Sequence, residues 1–248
     1  MLPIYLDHNA TTPVDPAVLE AMLPYLRSEF GNPSSAHPLG RRARDAIETA
    51  RAQVASLIGA HPDEIVFTSG GTEASNIAIR GAVAFTPERR DIVTTTIEHP
   101  ATAECCALLE RRGHRATRLR AGDAGVVDPG EAETAMDQRT AIVTIIHAQN
   151  EIGTIQPVSD IAGIARRHGA LVHADAVQSA GKISCRVDEL GVDLLSIADH
   201  KLYAPKGIGA LYIRRGLQLP PLLQGAGQEA RRRAGCERGM DRVEHARS

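Results

Sequence analysis

Short apolar runs rich in β-branched residues alternate with helical patterns along most of this 248-residue chain, and this alternation limits the possible folds more than any other feature. We predict strands at residues 64–68, 91–95, 141–146, 170–174, 193–197 and 210–213. Strands that alternate with helices form mostly parallel sheets whose two faces are covered by helices. The sequence therefore predicts an α/β fold.

Helical patterns occupy the spaces around these strands. Between residues 43 and 58 the apolar positions keep the spacing of one helical face, and Gly59 follows as a stop. We predict further helices at residues 15–29, 72–84, 100–112 and 159–168. Asp15, Pro16 and Ser159 suit the first positions of a helix. Residues 30–37 (FGNPSSAH) are predicted to form a loop.

The composition excludes several classes of protein. With 43% hydrophobic residues and a net charge of −2, the chain is typical of a soluble globular protein, and the charge gives no case for binding nucleic acid. No apolar run is long enough to cross a membrane and the N-terminus lacks a signal pattern, so we expect a cytoplasmic protein. The adjacent Cys105 and Cys106 indicate reduced thiols, and the spacing of His and Cys predicts no metal site.

Lysine is rare in this chain, which has 28 basic residues and only three lysines, at positions 182, 201 and 206. The bias toward arginine is explained by genome composition, but it suggests that a remaining lysine lies where an amine is needed. Lys201 follows the apolar run DLLSI, and partial burial there would lower its pKa and suit Schiff-base chemistry. The alternative is a surface amine in a polar loop.

A carboxylate, Asp175, follows the strand predicted at residues 170–174, with Gln178 close behind it. Ligands of open α/β sheets bind outside the carboxyl ends of strands, where Asp175, Gln178 and Lys201 could meet. Pyridoxal phosphate needs such a set, because its aldehyde takes a lysine and its ring nitrogen stays protonated beside a carboxylate. Asp175 is equally suited to cap a helix.

Two glycines, Gly70 and Gly71, link the strand EIVFT to the next helix. Their main-chain N–H groups and the helix N-terminus could bind a phosphate, although the pair is equally suited to a tight turn. His99 and Asn150 also follow predicted strands. An imidazole can stack on an aromatic cofactor and an amide can bind a phenolate oxygen, but each residue could be a capping or core residue instead.

Taken together, these segments resemble the cysteine desulfurases, within the class V aminotransferase group of fold-type I pyridoxal-phosphate enzymes. The resemblance runs from the N-terminus to about residue 235 and rests on seven motifs in order. They are YLDHNATTP from Tyr5, FGNPSS from Phe30, EIVFTSGGTEASN from Glu64, IEHPA from Ile97, HAQNEIGTIQP from His147, HADAVQSAGK from His173 and HKLYAPKGIGALY from His200. It implies a mixed, mainly parallel seven-stranded sheet sandwiched by helices, the large domain of a pyridoxal-phosphate-dependent transferase.

The resemblance also implies a role for Lys201 and for the phosphate site. Lys201 would be the lysine that carries the cofactor. Gly71 and Thr72 would hold the phosphate with help from His200.

The remaining site residues are likewise implied by the resemblance. His99 would stack on the pyridine ring and move protons, as a second catalytic residue beside the lysine. Asp175 would pair with the ring nitrogen. Gln178 and Asn150 would contact the phenolic oxygen.

Relatives of this kind convert L-cysteine to L-alanine and transfer the sulfur to an enzyme cysteine as a persulfide. The sulfur then passes to iron–sulfur cluster assembly, tRNA thiolation or related routes. The resemblance therefore implies L-cysteine as substrate, a homodimer with the site at the subunit interface, and a sulfur-acceptor or iron–sulfur scaffold protein as partner.

The sequence departs from the family pattern at several positions. Ala198 replaces a hydroxyl residue that contacts the phosphate, Ala204 replaces a glycine, and Cys236 replaces a threonine that reaches the other subunit's phosphate. We expect an N-terminal segment at residues 1–30, the cofactor-binding large domain at 31–227 and an irregular tail at 228–248. The small C-terminal domain is expected to be absent, and sulfur transfer impaired with it.

No cysteine matches the family's nucleophile loop. Cys105 and Cys106 lie on a predicted helix and are expected to be buried, and Cys185 and Cys236 match no part of that loop. Two alternative functions stay open at this point. One is another pyridoxal-phosphate lyase, such as a selenocysteine lyase. The other is a catalytically inactive scaffold that keeps the fold and pairs with a complete desulfurase or a carrier protein.

Overall fold

A computed structural model describes residues 4–235 of the chain. Its strands are β1 (Ile65–Thr68), β2 (Asp91–Thr95), β3 (Arg115–Leu119), β4 (Thr140–Ile146), β5 (Leu171–Asp175), β6 (Leu194–Ala198), β7 (Gly209–Ile213), β8 (Leu223–Gln224) and β9 (Ala234–Gly235). Its α-helices are α1 (Pro16–Arg27), α2 (Pro38–Ile58), α3 (Gly71–Phe85), α4 (Pro100–Arg111), α5 (Pro129–Ala135), α6 (Val158–His168) and α7 (Val187–Leu190).

Seven of the strands form one sheet in the order β1-β7-β6-β5-β4-β2-β3. The neighbours from β3 to β6 pair in parallel, whereas β7 runs antiparallel to both β6 and β1. Strand β1 therefore points in the same direction as the parallel strands, and six carboxyl ends lie at one edge. The prediction of a mixed, mainly parallel seven-stranded sheet is confirmed.

The six strands predicted from apolar runs are all present, and each end agrees with the prediction to within one residue. The seventh strand, β3, was not predicted from its residues. Its sequence is RATRL, and it lies at the edge of the sheet, where only one side of the strand is paired. An exposed edge tolerates charged side chains such as those of Arg115 and Arg118, so β3 lacks the apolar signal of the central strands.

The helix predictions agree with the structure, with one correction at a helix start. The side chain of Asp15 accepts the Ala17 N–H at 2.7 Å and caps α1, and Gly59 ends α2 with a φ of 69°. Ser159 is not the N-cap of α6, and that prediction is wrong. Helix α6 begins at Val158, one residue before Ser159. The side chain of Val158 packs into the core, and Pro157 takes the N-cap position.

Helices cover both faces of the sheet. One buried cluster joins α2, α5, α6 and α7 to one face, and a second joins α3 and α4 to the other. Neighbouring residues of a strand point to opposite faces, so Val143 belongs to the first cluster and Ile142 to the second. The sheet is thus buried on both sides, as a parallel sheet requires.

The carboxyl edge of the sheet collects the elements that form a cavity. Strand β5 ends at Asp175 and β6 at Ala198, and a short 3₁₀ turn at Asp199–Lys201 follows β6. Helix α3 begins at the same edge after β1. Within residues 4–235, no helix has the length and apolar character needed to span a membrane.

Candidate active site

A cavity of about 390 Å³ opens at the carboxyl edge of the sheet. All eight residues for which the family resemblance implied a role in a cofactor site line it: Gly71, Thr72, His99, Asn150, Asp175, Gln178, His200 and Lys201. They come from five separate stretches of the chain. The topology of the sheet, rather than closeness in sequence, brings them together.

Lys201 extends its amine into this cavity from the turn that follows β6. The Nζ atom donates to the main-chain oxygens of Ala10, at 2.8 Å, and Asn9. Burial lowers the pKa of Lys201, and the charge of Lys182 lowers it further, while Asp7 and Asp175 act in the opposite direction. A lowered pKa increases the neutral fraction of the amine, which is its nucleophilic form.

Asp175 is a buried carboxyl at the end of β5, with 3% of its surface exposed. Its Oδ1 accepts the Val177 N–H at 3.0 Å and so stabilises the turn after the strand. No α-helix starts here, so Asp175 is not a helix cap. Burial raises the pKa of Asp175, whereas His99 and Lys201 lower it. A cationic group bound beside Asp175 would stabilise the ionised carboxylate.

His99 lies at the entrance to α4, whose N-terminus it caps. Its Nδ1 accepts the Ala101 N–H at 3.1 Å. In the neutral imidazole the proton must then be on Nε2. The capping role that the sequence left open is therefore real, and it leaves Nε2 as the nitrogen available to the cavity.

Residues 69–72, which we call the anion loop, join β1 to α3. Gly70 has a φ of 150°, and Gly71 and Thr72 form the first turn of the helix. A Cβ atom on Gly71 would lie 2.8 Å from Cγ2 of Val177, so only glycine fits there without displacement of its neighbour. The loop presents a helix N-terminus to the cavity, which favours a negatively charged group.

The N-terminal segment forms one wall of the cavity, and sequence reasoning assigned it no role. Asp7, Asn9 and Ala10 line the cavity. Asn9 contacts two predicted site residues: its Nδ2 donates to the main-chain oxygen of Asn150 at 3.4 Å, and its main-chain oxygen accepts from Gln178 Nε2 at 2.8 Å. The motif YLDHNATTP was visible in the sequence, but its contact with the lysine depends on tertiary structure.

His200 and its neighbours hold this segment in place. Thr12 donates its N–H to the main-chain oxygen of His200 at 2.9 Å, and its Oγ1 accepts the N–H of Tyr203 at 2.9 Å. The Nδ1 of His200 lies 3.1 Å from the hydroxyl of Thr11. Burial lowers the pKa of His200, with further contributions from Lys201 and Lys206, so the imidazole is neutral at pH 7.

The three cysteines within the described residues lie outside the cavity. Cys105, Cys106 and Cys185 are all buried, as expected for the first two. Burial raises the pKa of Cys105 to about 11 and of Cys106 to about 12, and it raises that of Cys185 as well. Such thiols are poor nucleophiles at neutral pH. Cys236 lies outside the described residues.

The sheet order and the convergence of an amine, a carboxyl group and an anion loop at its carboxyl edge define a class: α/β domains with a ligand site at the strand ends. Within that class, the chain belongs to the class-V aminotransferase family, because the sequence model described as Aminotransferase class-V matches residues 4–245.

Individual relatives are cysteine desulfurases. The chain is 50% identical over 235 residues to the cysteine desulfurase IscS of Dictyoglomus turgidum, and 50% identical over 234 residues to a cysteine desulfurase of a Nostoc species. Each alignment covers 94% of this chain, but 60% and 58%, respectively, of the relative. The resemblance to the cysteine desulfurase family is confirmed, and the chain spans about three fifths of the length of these relatives.

Solved structures give the same result. A NifS-like protein superposes with a TM-score of 0.91 at 42% identity, covering 96% of this chain and 66% of that one. A structure described as SspA in complex with cysteine superposes with a TM-score of 0.89 at 41% identity, covering 94% of this chain and 67% of that one. The described chain therefore shares its fold with these solved structures over almost its whole length.

Proposed function

We propose that this chain binds pyridoxal 5′-phosphate in the cavity and forms the cofactor-binding part of a cysteine desulfurase. One observation carries the proposal: Lys201, with its lowered pKa, and the buried Asp175 line the same cavity. The family implies this cofactor, and the relatives named above are cysteine desulfurases.

The residues present fit the cofactor in three respects. The anion loop can receive a phosphate, since it presents the N-terminus of α3 to the cavity. Gly71 keeps the loop in this position, because a Cβ there would collide with Val177. Asp175 offers a carboxyl group to a protonated ring nitrogen. Lys201 offers an amine that can condense with the aldehyde. These three groups are what the cofactor requires of a protein.

When bound, pyridoxal phosphate supplies an electron sink for negative charge on the substrate carbon next to the amine. Asp175 would preserve this electron-withdrawing property by keeping the ring nitrogen protonated. This carboxyl is almost removed from water, where its interaction with a cation is stronger than in bulk solvent. Burial raises the pKa of Asp175 and so favours its neutral form. A protonated ring nitrogen would therefore have to lie close to Asp175, where it would favour the ionised carboxylate and be stabilised by it.

His99 and Lys201 hold the protons that the chemistry needs. Because Nδ1 of His99 accepts from Ala101, Nε2 is the ring nitrogen left to transfer a proton. The amine of Lys201 is held by two main-chain oxygens of the N-terminal segment and lies in the same cavity. We assign Lys201 to carrying the cofactor and moving a proton at Nζ, and His99 to stacking and proton transfer at Nε2.

The other predicted residues orient the ring and the phosphate. Thr72 and the main chain of Gly71 would bind the phosphate with His200, which is neutral and therefore available to donate one hydrogen bond. Gln178 and Asn150 would contact the phenolic oxygen. Asn9 binds the side chain of Gln178 and the main chain of Asn150, and these contacts restrict how far Gln178 and the main chain at Asn150 can move.

For the substrate we propose L-cysteine, on the strength of the relatives and of the SspA structure, whose description includes cysteine. The acceptor of the sulfur would not be Cys105, Cys106 or Cys185, because all three are buried and burial raises their pKa values. A homodimer, a cytoplasmic location and delivery of sulfur to an acceptor or iron–sulfur scaffold protein complete the proposal.

The test is a titration of the purified chain with pyridoxal phosphate, with borohydride reduction and peptide mass mapping. We expect a new visible absorption band, and after reduction we expect the mass of the cofactor on the peptide that contains Lys201. Lys201→Ala should lose both signals. Lys206→Ala is the matched control, because this lysine lies outside the cavity lining, and it should keep both. A wild-type chain without a band, or a band that persists in Lys201→Ala, would refute the proposal.

A further inference from the structure

Residues 228–233, which follow the large domain and which we call the clamp segment, dock on the edge of the sheet through Glu229. Its Oε2 accepts the Phe67 N–H at 2.9 Å and a hydrogen bond from Arg51 Nη1 at 2.6 Å. Arg51 also donates to the main-chain oxygen of Ile65 at 2.8 Å. Phe67 and Ile65 belong to the edge strand β1, so this ion pair satisfies main-chain groups that lack a neighbouring strand.

The other end of the clamp segment grips the first turn of α3. Arg233 donates from Nε to Glu73 Oε1 at 2.6 Å and from Nη2 to Glu73 Oε2 at 3.1 Å. The side chains are 31% and 11% exposed, respectively. A paired, two-point contact between guanidinium and carboxylate fixes orientation as well as position, and lysine cannot reproduce it.

Glu73 passes this contact on to the anion loop. Its Oε2, which Arg233 binds, also accepts the N–H of Ser69 at 2.6 Å. Burial raises the pKa of Glu73, but the hydrogen bonds from Arg233 and Ser69 outweigh it and the pKa lies below its ordinary value. Glu73 is therefore ionised, and without Arg233 its charge would repel a phosphate bound at the same helix N-terminus.

We propose that Arg233 is a positioning residue for the anion loop: through Glu73 it fixes the main chain at Ser69 and neutralises a carboxylate that would otherwise oppose the phosphate. This inference rests on the proposed function for the identity of the ligand. It adds that the phosphate site depends on Arg233, which lies more than 150 residues further along the chain and whose side chain does not line the cavity.

The experiment compares pyridoxal phosphate with pyridoxal, which has the same ring and aldehyde but no phosphate. Dissociation constants are measured for the wild type, Arg233→Gln, Arg233→Lys and Glu73→Gln. Arg231→Gln is the matched control, because this neighbouring arginine is exposed and makes no side-chain hydrogen bond within the described residues. Only a role at the phosphate site predicts different results for the two ligands.

In Arg233→Gln we expect the affinity for pyridoxal phosphate to fall about tenfold, which corresponds to ~1.4 kcal/mol, while the affinity for pyridoxal stays within about twofold. Arg233→Lys should give a smaller loss, since the charge remains and the two-point contact does not. Arg231→Gln should match the wild type. Equal losses for both ligands, or no loss for pyridoxal phosphate, would overturn the inference.

A second measurement keeps this inference separate from the proposed function. Hydrogen exchange of the Ser69 amide in the cofactor-free chain reports the contact with Glu73 directly. We expect faster exchange in both Arg233→Gln and Glu73→Gln, with unchanged exchange in the central strand β5. If the wild type bound no pyridoxal phosphate while the two variants showed this exchange pattern, only the proposed function would be refuted. Unchanged exchange at Ser69 would refute the positioning role of Arg233.

Discussion

The carboxyl group of Glu98 binds the main chain of Ile146: its Oε1 accepts the Ile146 N–H at 2.9 Å, where β4 pairs with β5 beside Asp175. The same oxygen accepts a hydrogen bond from the hydroxyl of Thr95 at 2.7 Å, whereas Oε2 is buried and has no hydrogen-bond partner among residues 4–235. Burial raises the pKa of Glu98 to about 8, so the group is mainly protonated at neutral pH.

This pKa predicts how stability depends on pH. The pKa of Glu98 in the folded chain lies above its ordinary value, so the folded state holds an extra proton between about pH 5 and pH 8, and stability falls as pH rises through that range. Glutamine does not ionise. From about pH 5.5 to about pH 8.5, we expect the free energy of unfolding of Glu98→Gln to gain ~3 kcal/mol relative to the wild type.

Urea unfolding at the two pH values measures this difference. Glu88→Gln is the control, because Glu88 is exposed and should show no pH-dependent gain. If Glu98→Gln and the wild type lost stability in parallel, Glu98 would be ionised in the folded chain and the prediction would be wrong.

Gly71 and Val177 pack so closely that a larger side chain at position 71 is predicted to collide with Val177. A Cβ at position 71 would lie 2.8 Å from Val177 Cγ2, so Gly71→Ala should lower the free energy of unfolding by ~1–3 kcal/mol, the usual effect of overpacking. Val177→Ala removes the colliding methyl group. We expect the double variant to lose less stability than the sum of the single variants, and simple additivity in urea unfolding would contradict the collision.

Ala198 offers a gain-of-function test. It is buried at the end of β6 and lines the cavity, and the family resemblance implies a hydroxyl residue at this position. If the cavity binds pyridoxal phosphate as proposed, Ala198→Ser should add one hydrogen bond to the phosphate and increase affinity about two- to tenfold. Pyridoxal, without the phosphate, should bind Ala198→Ser and the wild type equally. Unchanged or weaker binding of pyridoxal phosphate would mean that the phosphate does not reach position 198.

The described cysteines are predicted to be unreactive in the folded chain. Burial raises the pKa of Cys106 to about 12, that of Cys105 to about 11 and that of Cys185 above its ordinary value. In a Cys236→Ser variant, which leaves these three thiols alone, we expect iodoacetamide at about pH 8 to react much more slowly than in urea. Mass spectrometry of the alkylated peptides gives the rate at each site. Rapid labelling of Cys185 in the folded chain would open it as a sulfur acceptor.

The strands and main helices could be predicted from the spacing of apolar residues that are neighbours in the sequence. The apolar runs of the central strands and the one-sided pattern that ends at Gly59 are properties of neighbouring residues, so the six strands and the main helices could be predicted. The rule that ligands bind at the carboxyl ends of strands predicted, from the sequence, that Asp175 and Lys201 lie in one region. Strand β3 was not predicted, because this edge strand carries Arg115 and Arg118 and has no apolar period.

Only the tertiary structure decided which main-chain groups surround those residues. Lys201 binds the oxygen of Asn9, 192 positions earlier, and Arg233 reaches Glu73, 160 positions earlier. No local pattern encodes such pairs, since they follow from the order of strands in the sheet and from the path that the first and last described segments take across its edge. The chemistry of single side chains was therefore legible in the sequence, while their partners depended on long-range packing of the chain.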